Sequence, residues 1–135
     1  MYNLKIRNKS LEIELGILKY RDSIIVDKFE QSLGNITINA HINSRYCKEE
    51  LQDYKWYFTS LNFYGVKLYR CEEYEIFDWK KWDLESNFVE VLDTEWLDEY
   101  GLSKQKYRFL ILKTYDFIYF IVCEGFNFLI TGKSN

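Results

Sequence analysis

Imidazoles, thiols and carboxylates are the side chains that most often move protons, hold metals or attack substrates, and this chain has few of the first two. His41 is its single histidine, and Cys47, Cys71 and Cys123 are its cysteines. A Cys-His pair can supply a nucleophile and its base when the two meet in space. No Cys-x-x-Cys pair occurs, and a zinc site needs about four N or S ligands at regular spacing. The cysteines therefore read as small buried hydrophobes, and no metal or cofactor is expected. His41 lies on the polar side of an alternating stretch and reads as a hydrogen-bonded sheet residue. Gly-x-Gly-x-x-Gly, Gly-x-x-x-x-Gly-Lys and His-Glu-x-x-His are all missing. Among 21 acidic residues no spacing singles out a pair for glycoside chemistry. No catalytic residue is assigned, and an enzyme is not the leading reading.

The carboxylates matter in another way. Residues 72–100 hold 11 acidic and 2 basic side chains, a net −9, and include Trp79, Trp82 and Trp96. The flanking segments are each basic, and the whole chain carries −3. At ~100° per residue, a helix over 79–92 gathers Leu84, Phe88, Val91 and Leu92 on a core face. It turns Trp79, Asp83, Ser86 and Glu90 outward, with Trp82 on the flank. Asp93, Glu95, Asp98 and Glu99, with Trp96, extend the negative region. Carboxylates steer a basic partner, and indoles supply desolvated anchors that also accept Arg or Lys on their faces. Trp79, Trp82, Asp83, Glu90, Asp93, Glu95, Trp96, Asp98 and Glu99 are the candidate partner-binding residues. The competing reading is a solvated helix face with an acidic first turn that merely suits the helix dipole.

Those residues depend on the elements that carry them. Ile36, Ile38, Ala40 and Ile42 alternate with polar neighbours, the period of a half-buried strand. Leu11, Ile13 and Leu15 predict another strand, as do Ile24 to Val26 and Val66 to Cys71. Cys47, Leu51, Tyr54, Phe58 and Leu61, spaced 4, 3, 4 and 3, predict a helix over 47–62. Asp78 is a candidate N-cap for the helix over 79–92, and Thr94 for a short one over 94–100 that stops at Gly101. Tyr107 to Tyr115 and Phe117 to Cys123 form strands around a turn at Tyr115-Asp116, followed by a strand over Phe126 to Thr131. Phe117 to Cys123 is apolar on both faces, which marks a central strand. The expected fold is α+β: a mainly antiparallel sheet with three helices packed on one face, in a single domain over 1–135.

Bulk properties narrow the function. The 135 residues are 47% hydrophobic and 19% aromatic, with no proline. That composition builds a core and excludes wholesale disorder. An acidic balance argues against non-specific binding to DNA. The longest apolar run is seven residues against the roughly 20 a bilayer span needs, and no secretory signal opens the chain. A cytoplasmic location without membrane contact is expected. The abundance of Lys, Asn, Ile, Tyr and Phe suggests an AT-rich bacterial genome.

In this profile (small, acidic, aromatic-rich, without proline or catalytic residues) the chain resembles the immunity proteins that neutralise secreted bacterial toxins. The resemblance implies a non-catalytic inhibitor that masks a basic toxin or nuclease with an acidic aromatic face. Three alternatives stand beside it. One is a small ligand-binding or enzymatic domain with a pocket over the sheet, lined by His41, Asn39 or tyrosines. A second is a self-associating protein with an aromatic homodimer seam. The third is an RNA binder using the basic-aromatic stretches Arg45 to Arg70 and Lys104 to Lys113.

Overall fold

A computed structural model describes residues 6–77 and 82–135. Among the described residues, nine strands fall into two antiparallel sheets. In chain order they are β1 (Asn8–Ser10), β2 (Ile24–Ser32), β3 (Asn35–Asn43), β4 (Trp56–Tyr64), β5 (Leu68–Glu73), β6 (Phe88–Val91), β7 (Arg108–Lys113), β8 (Phe117–Cys123) and β9 (Gly125–Lys133). One sheet has the order β1-β6-β7-β8-β5 and the other β2-β3-β4-β9. They pack face to face. Ile36, Ile38, Leu61 and Phe63 from the four-stranded sheet meet Phe88, Leu110, Leu112 and Ile121 from the five-stranded one. Aromatic pairs cross the gap, Phe63 to Phe88 at 6.2 Å and Phe29 to Tyr119 at 5.6 Å.

The five-stranded sheet has a second core on its far face. Val89, Val91, Phe109, Ile111, Ile118, Phe120 and Val122 are covered there by Phe77, Trp82, Leu97 and Tyr107. Phe77, Trp82 and Tyr107 come from loops and Leu97 from the 3-10 segment Glu95–Tyr100; none comes from an α-helix. This double coverage explains why β8 is apolar on both faces. It sits between β7 and β5 and is buried from Ile118 to Cys123.

The α+β expectation is therefore corrected: the described chain is a two-sheet antiparallel β structure, and among the described residues its only helices are short 3-10 segments. The helix expected over 47–62 is instead a pair of 3-10 turns, Ser44–Tyr46 and Glu49–Leu51, followed by β4. Tyr54 adopts a left-handed φ of 65°, which no helix interior allows. Trp56, Tyr57, Phe58, Thr59, Phe63 and Tyr64 are aromatic or β-branched, and period 2 wins. Tyr57, Thr59, Leu61 and Phe63 turn inward, and Thr59 satisfies its hydroxyl by donating to the Ala40 carbonyl at 2.8 Å.

The helix expected over 79–92 gives way to β6. Phe88 faces the inter-sheet core, while Val89 and Val91 face the other one. Asp78 and Trp79, the expected cap and first indole, lie outside the described residues. The third helix survives as a 3-10 segment at Glu95–Tyr100. Thr94 makes no side-chain cap there, and Gly101 ends the segment at φ 70°. Leu11, Ile13 and Leu15 do not form the expected strand. Pairing ends at β1, and a lone bridge joins Ile13 to Gly16. No helix of the described residues is long and apolar enough to cross a membrane.

Candidate functional site

Among the described residues, the outer face of the five-stranded sheet is not fully closed. Residues 74–77, 82–84 and 95–107 cover it, and among the described residues a cleft of about 570 Å³ reaches down to the strands. Phe109 and Phe120 form its floor, from β7 and β8. Trp82 and Trp96 stand on that floor edge-on. Trp82 lies 6.0 Å from Phe109 at 89°, and Trp96 lies 5.3 Å from it at 87°. Edge-to-face pairs of this kind fix ring orientation as well as contributing contact energy. Ile6 and Leu68 add apolar wall.

The rim is charged. Arg70 spreads its guanidinium over the Phe120 ring at 4.5 Å, with Nε 3.3 Å from Glu72. Asp93 accepts three hydrogen bonds from Arg7: from the backbone N at 2.8 Å, from Nε at 2.9 Å and from Nη2 at 2.6 Å. These bonds hold the Asp93 carboxyl below its usual range and raise Arg7 above its own. Two pairs thus cancel at the rim. Glu95 also lines the cleft, is exposed, and makes no ion pair among the described residues. Asp98 and Glu99 follow it on the same 3-10 segment, both exposed. Among the described residues Glu95, Asp98 and Glu99 form no ion pair, and the nearest compensation is Arg7, which is bonded to Asp93 and also feels the Glu95 charge.

The nine sequence candidates do not form one outward ridge. Asp93, Glu95 and Trp96 come together at the cleft, with Asp98 and Glu99 beside them. Trp82 belongs to the same site but as a wall, only 7% exposed. Its indole points inward because the segment carrying it is a loop folded onto β7 and β8. Asp83 is exposed, and its carbonyl accepts a 2.9 Å hydrogen bond from Asn8. Glu90 leaves the group altogether. It sits on the inter-sheet side of β6, 2.8 Å from Arg108 and 3.9 Å from Lys9. Trp79 lies outside the described residues. Arg70, Phe109 and Phe120 are functional candidates that sequence reading missed. Only the two-faced apolarity of Phe117 to Cys123 hinted that a second layer lay above that sheet.

The polar chemistry sought around His41 resolves differently. A β-bulge between Val26 and Lys28 displaces Asp27, whose carboxylate meets His41 Nδ1 at 2.7 Å. Trp56 packs edge-on against the imidazole at 4.8 Å. All three lie on the open face of the four-stranded sheet, away from the cleft. None of the three thiols is hydrogen-bonded to His41 among the described residues. Burial, the larger cause, raises the Cys47 thiol to about 11, helped by Asp53, and Cys123 to about 12. Cys71 is raised for the same reason, with Glu72 adding to it. Thiols held in this way stay protonated at neutral pH and make poor nucleophiles. Among the described residues, no group of three His, Cys, Asp or Glu side chains is placed to hold a metal ion.

Comparison with protein-family models, with curated proteins and with solved structures finds no match.

Proposed function

We propose that the chain is a non-catalytic binding module that takes a cationic side chain of a partner protein into the cleft between Trp82 and Trp96. One observation carries this reading. An aromatic floor shares its cleft with a carboxylate, Glu95, that forms no ion pair among the described residues, Arg7 nearby being bonded to Asp93. A Lys or Arg entering there meets the Phe109 and indole rings and the Glu95 charge together, while Arg70 already holds the Phe120 ring. Cation–π contact contributes about 0.5–1 kcal/mol at exposed sites and ~2 kcal/mol or more when desolvated. Asp98 and Glu99 raise the encounter rate of a basic partner from further out. In its specific form the module is an immunity-type inhibitor, whose partner is a basic toxin or nuclease.

A penta-arginine peptide, titrated against the protein at low salt and followed by tryptophan fluorescence, tests the cleft. The wild-type protein should give a saturable change that weakens as salt rises. Glu95→Lys should weaken binding at least tenfold, and Trp96→Ala should remove most of the fluorescence response. Equal binding by all three proteins would defeat the proposal.

The cavity volume favours a second reading, a small-molecule site. Ligand pockets occupy roughly 300–1,000 Å³ and are mostly apolar with a few polar groups, and this cleft fits that description. It lies over the five-stranded sheet and not beside His41 and Asn39. Native mass spectrometry of protein isolated from its source separates the two readings. A small-molecule site predicts a constant mass excess that Trp96→Ala abolishes, whereas the partner reading predicts the bare chain mass.

A further inference from the structure

The open face of the four-stranded sheet ends, where β3 gives way to β4, at a tyrosine in an unusual conformation. Tyr54 holds φ 65°, and its side chain is fully exposed. The left-handed region strains a bulky residue and is free for glycine. Bonds on both sides keep the loop in this shape. The buried Ser44 hydroxyl accepts from the Asp53 amide at 3.3 Å and from the Lys55 amide at 3.1 Å. The Ser44 N–H donates to the Lys55 carbonyl at 3.0 Å, and Lys133 pairs with the Asp53 carboxylate. The Tyr54 ring is thus held out into solvent, with no ring or cation against it among the described residues. Strain kept for an exposed aromatic serves no packing need and points to a ligand contact. Asn43, Arg45, Tyr54 and Trp56 line an open pocket of about 350 Å³. Trp56 lies opposite Asn43 in the β3–β4 ladder, and its orientation is fixed by His41, edge-on at 4.8 Å and itself bonded to Asp27 at 2.7 Å. Arg45 is exposed, its guanidinium 5.3 Å from the Tyr46 ring, and it forms no ion pair among the described residues. Asp53 and Asp27 are already paired with Lys133 and His41, and Asp22 is held by the Tyr46 hydroxyl at 2.9 Å.

We propose that this pocket takes one nucleotide of a single-stranded nucleic acid, its base against the Tyr54 and Trp56 rings and its phosphate on Arg45. Each part of the pocket selects that ligand. The rings offer stacking surface, which any base can use. The unpaired guanidinium calls for an anion, and its planar fork matches a phosphate. A neutral sugar or an apolar peptide would leave that charge without a partner. Asn43 Oδ1 accepts from the Arg45 amide at 3.1 Å, which leaves the Asn43 NH2 to donate to a base edge. A duplex keeps its base faces inside the stack, whereas a single strand presents them. Phe58 favours a strand over a free nucleotide. It lies two residues beyond Trp56 on the same face of β4, ~6.6 Å along the strand, and is 42% exposed. The next base therefore has a ring to follow onto. The pocket gives a place to the basic-aromatic character of the Arg45 to Arg70 stretch. It lies on the opposite sheet from the cation-binding cleft, so either proposal can fail alone.

Fluorescence anisotropy of an end-labelled strand of about eight thymidines, titrated with the full chain, tests it. Binding should saturate and should weaken as salt rises from about 50 to 200 mM. The same strand annealed to its complement should bind at least tenfold more weakly. Tyr54→Gly relieves the left-handed backbone, so its melting temperature should stay level or rise while affinity falls at least about fivefold. A merely structural role for Tyr54 does not produce that combination. Arg45→Glu should weaken binding at least tenfold. Lys104→Glu, the same charge change at an exposed position in the other basic-aromatic stretch, should leave it unaltered. No binding by the wild-type chain overturns the proposal. So does a duplex bound as tightly as the strand, or thymidine monophosphate that displaces the strand at equal concentration. Undiminished affinity in Tyr54→Gly or Arg45→Glu overturns it as well, as does a loss in Lys104→Glu equal to that in Arg45→Glu.

Discussion

Arg7 and Asp93 are joined by three hydrogen bonds at the mouth of the cleft, and the pair ties the segment before β1 to the segment after β6. The folded Asp93 carboxyl titrates below its ordinary value. Its contribution to stability is therefore fully present above the unfolded pKa, ~3.9, and is lost as pH falls through the lower folded value. Asp53, held down chiefly by its hydrogen bond with Lys133, acts in the same direction. Both pairs are exposed, where ion pairs contribute little, so the signature is the pH dependence and not the size. Asp93→Asn should lower the melting temperature slightly at pH 7. The gap to wild type should close as the pH is taken below about 4. A gap independent of pH would show that Asp93 acts through packing alone. Glu90 illustrates the same logic in reverse. Reversing it would break a partly buried pair with Arg108 and damage the fold, so Glu95, Asp98 and Glu99 are the residues to change when the acidic mouth is tested.

At the scale of elements, residue spacing predicted β3 and missed β4, and the reason lies in overlapping periods. Ile36, Ile38, Ala40 and Ile42 admit only period 2. Cys47, Leu51, Tyr54, Phe58 and Leu61 satisfy a helical period by accident, because aromatic residues populate both faces of β4. Trp56, Phe58 and Tyr64 are on its open face, and Tyr57 and Phe63 are on its core face. Composition alone does not reveal which aromatics are spent in the core. β6 was misread for a related reason: with only four residues, it is too short for its alternation to outweigh the helical spacing of Leu84, Phe88 and Val91. The turn at Tyr115-Asp116, by contrast, was legible because two long apolar runs border it. Turn chemistry supplies a prediction here too. The β2–β3 hairpin places both Leu33 and Gly34 at positive φ, 26° and 81°, and Leu33 is fully exposed. Asn tolerates that conformation far better than Leu, and Asn-Gly is the favoured pair for such two-residue turns. Leu33→Asn should raise stability by roughly 0.5–1 kcal/mol, read as a higher denaturant midpoint with an unchanged slope. A lower midpoint would contradict the turn geometry.

For the molecule as a whole, the two sheets have unequal duties. The four-stranded sheet is buried on one face and carries the pocket beside Tyr54 and Trp56 at the end of the other. The five-stranded sheet is buried on both, and among the described residues the second layer above it leaves the cleft open. The acidic stretch over 72–100 drew attention to this region in the sequence, yet the site owes as much to Phe109, Phe120 and Arg70, which strands deliver from elsewhere. No spacing rule connects Arg70 with Trp96; only the antiparallel order β6-β7-β8-β5 does. Phe63, fully buried between the sheets, holds the two layers in place. Phe63→Ala should cost about 3–5 kcal/mol, and a much smaller loss in chemical denaturation would mean that the sheets do not pack as described.

The account rests on the cleft as the place where a cation docks, and the tryptophan indole N–H resonances report on it most directly. Trp82 and Trp96 wall the cleft, while Trp56 stands on the opposite sheet beside His41 and serves as an internal control. Adding the penta-arginine peptide should shift the Trp82 and Trp96 signals in a saturable way and leave Trp56 in place, and Glu95→Lys should suppress those shifts. Movement of Trp56 alone, or no movement of any of the three, would contradict the assignment of the cleft as the binding site.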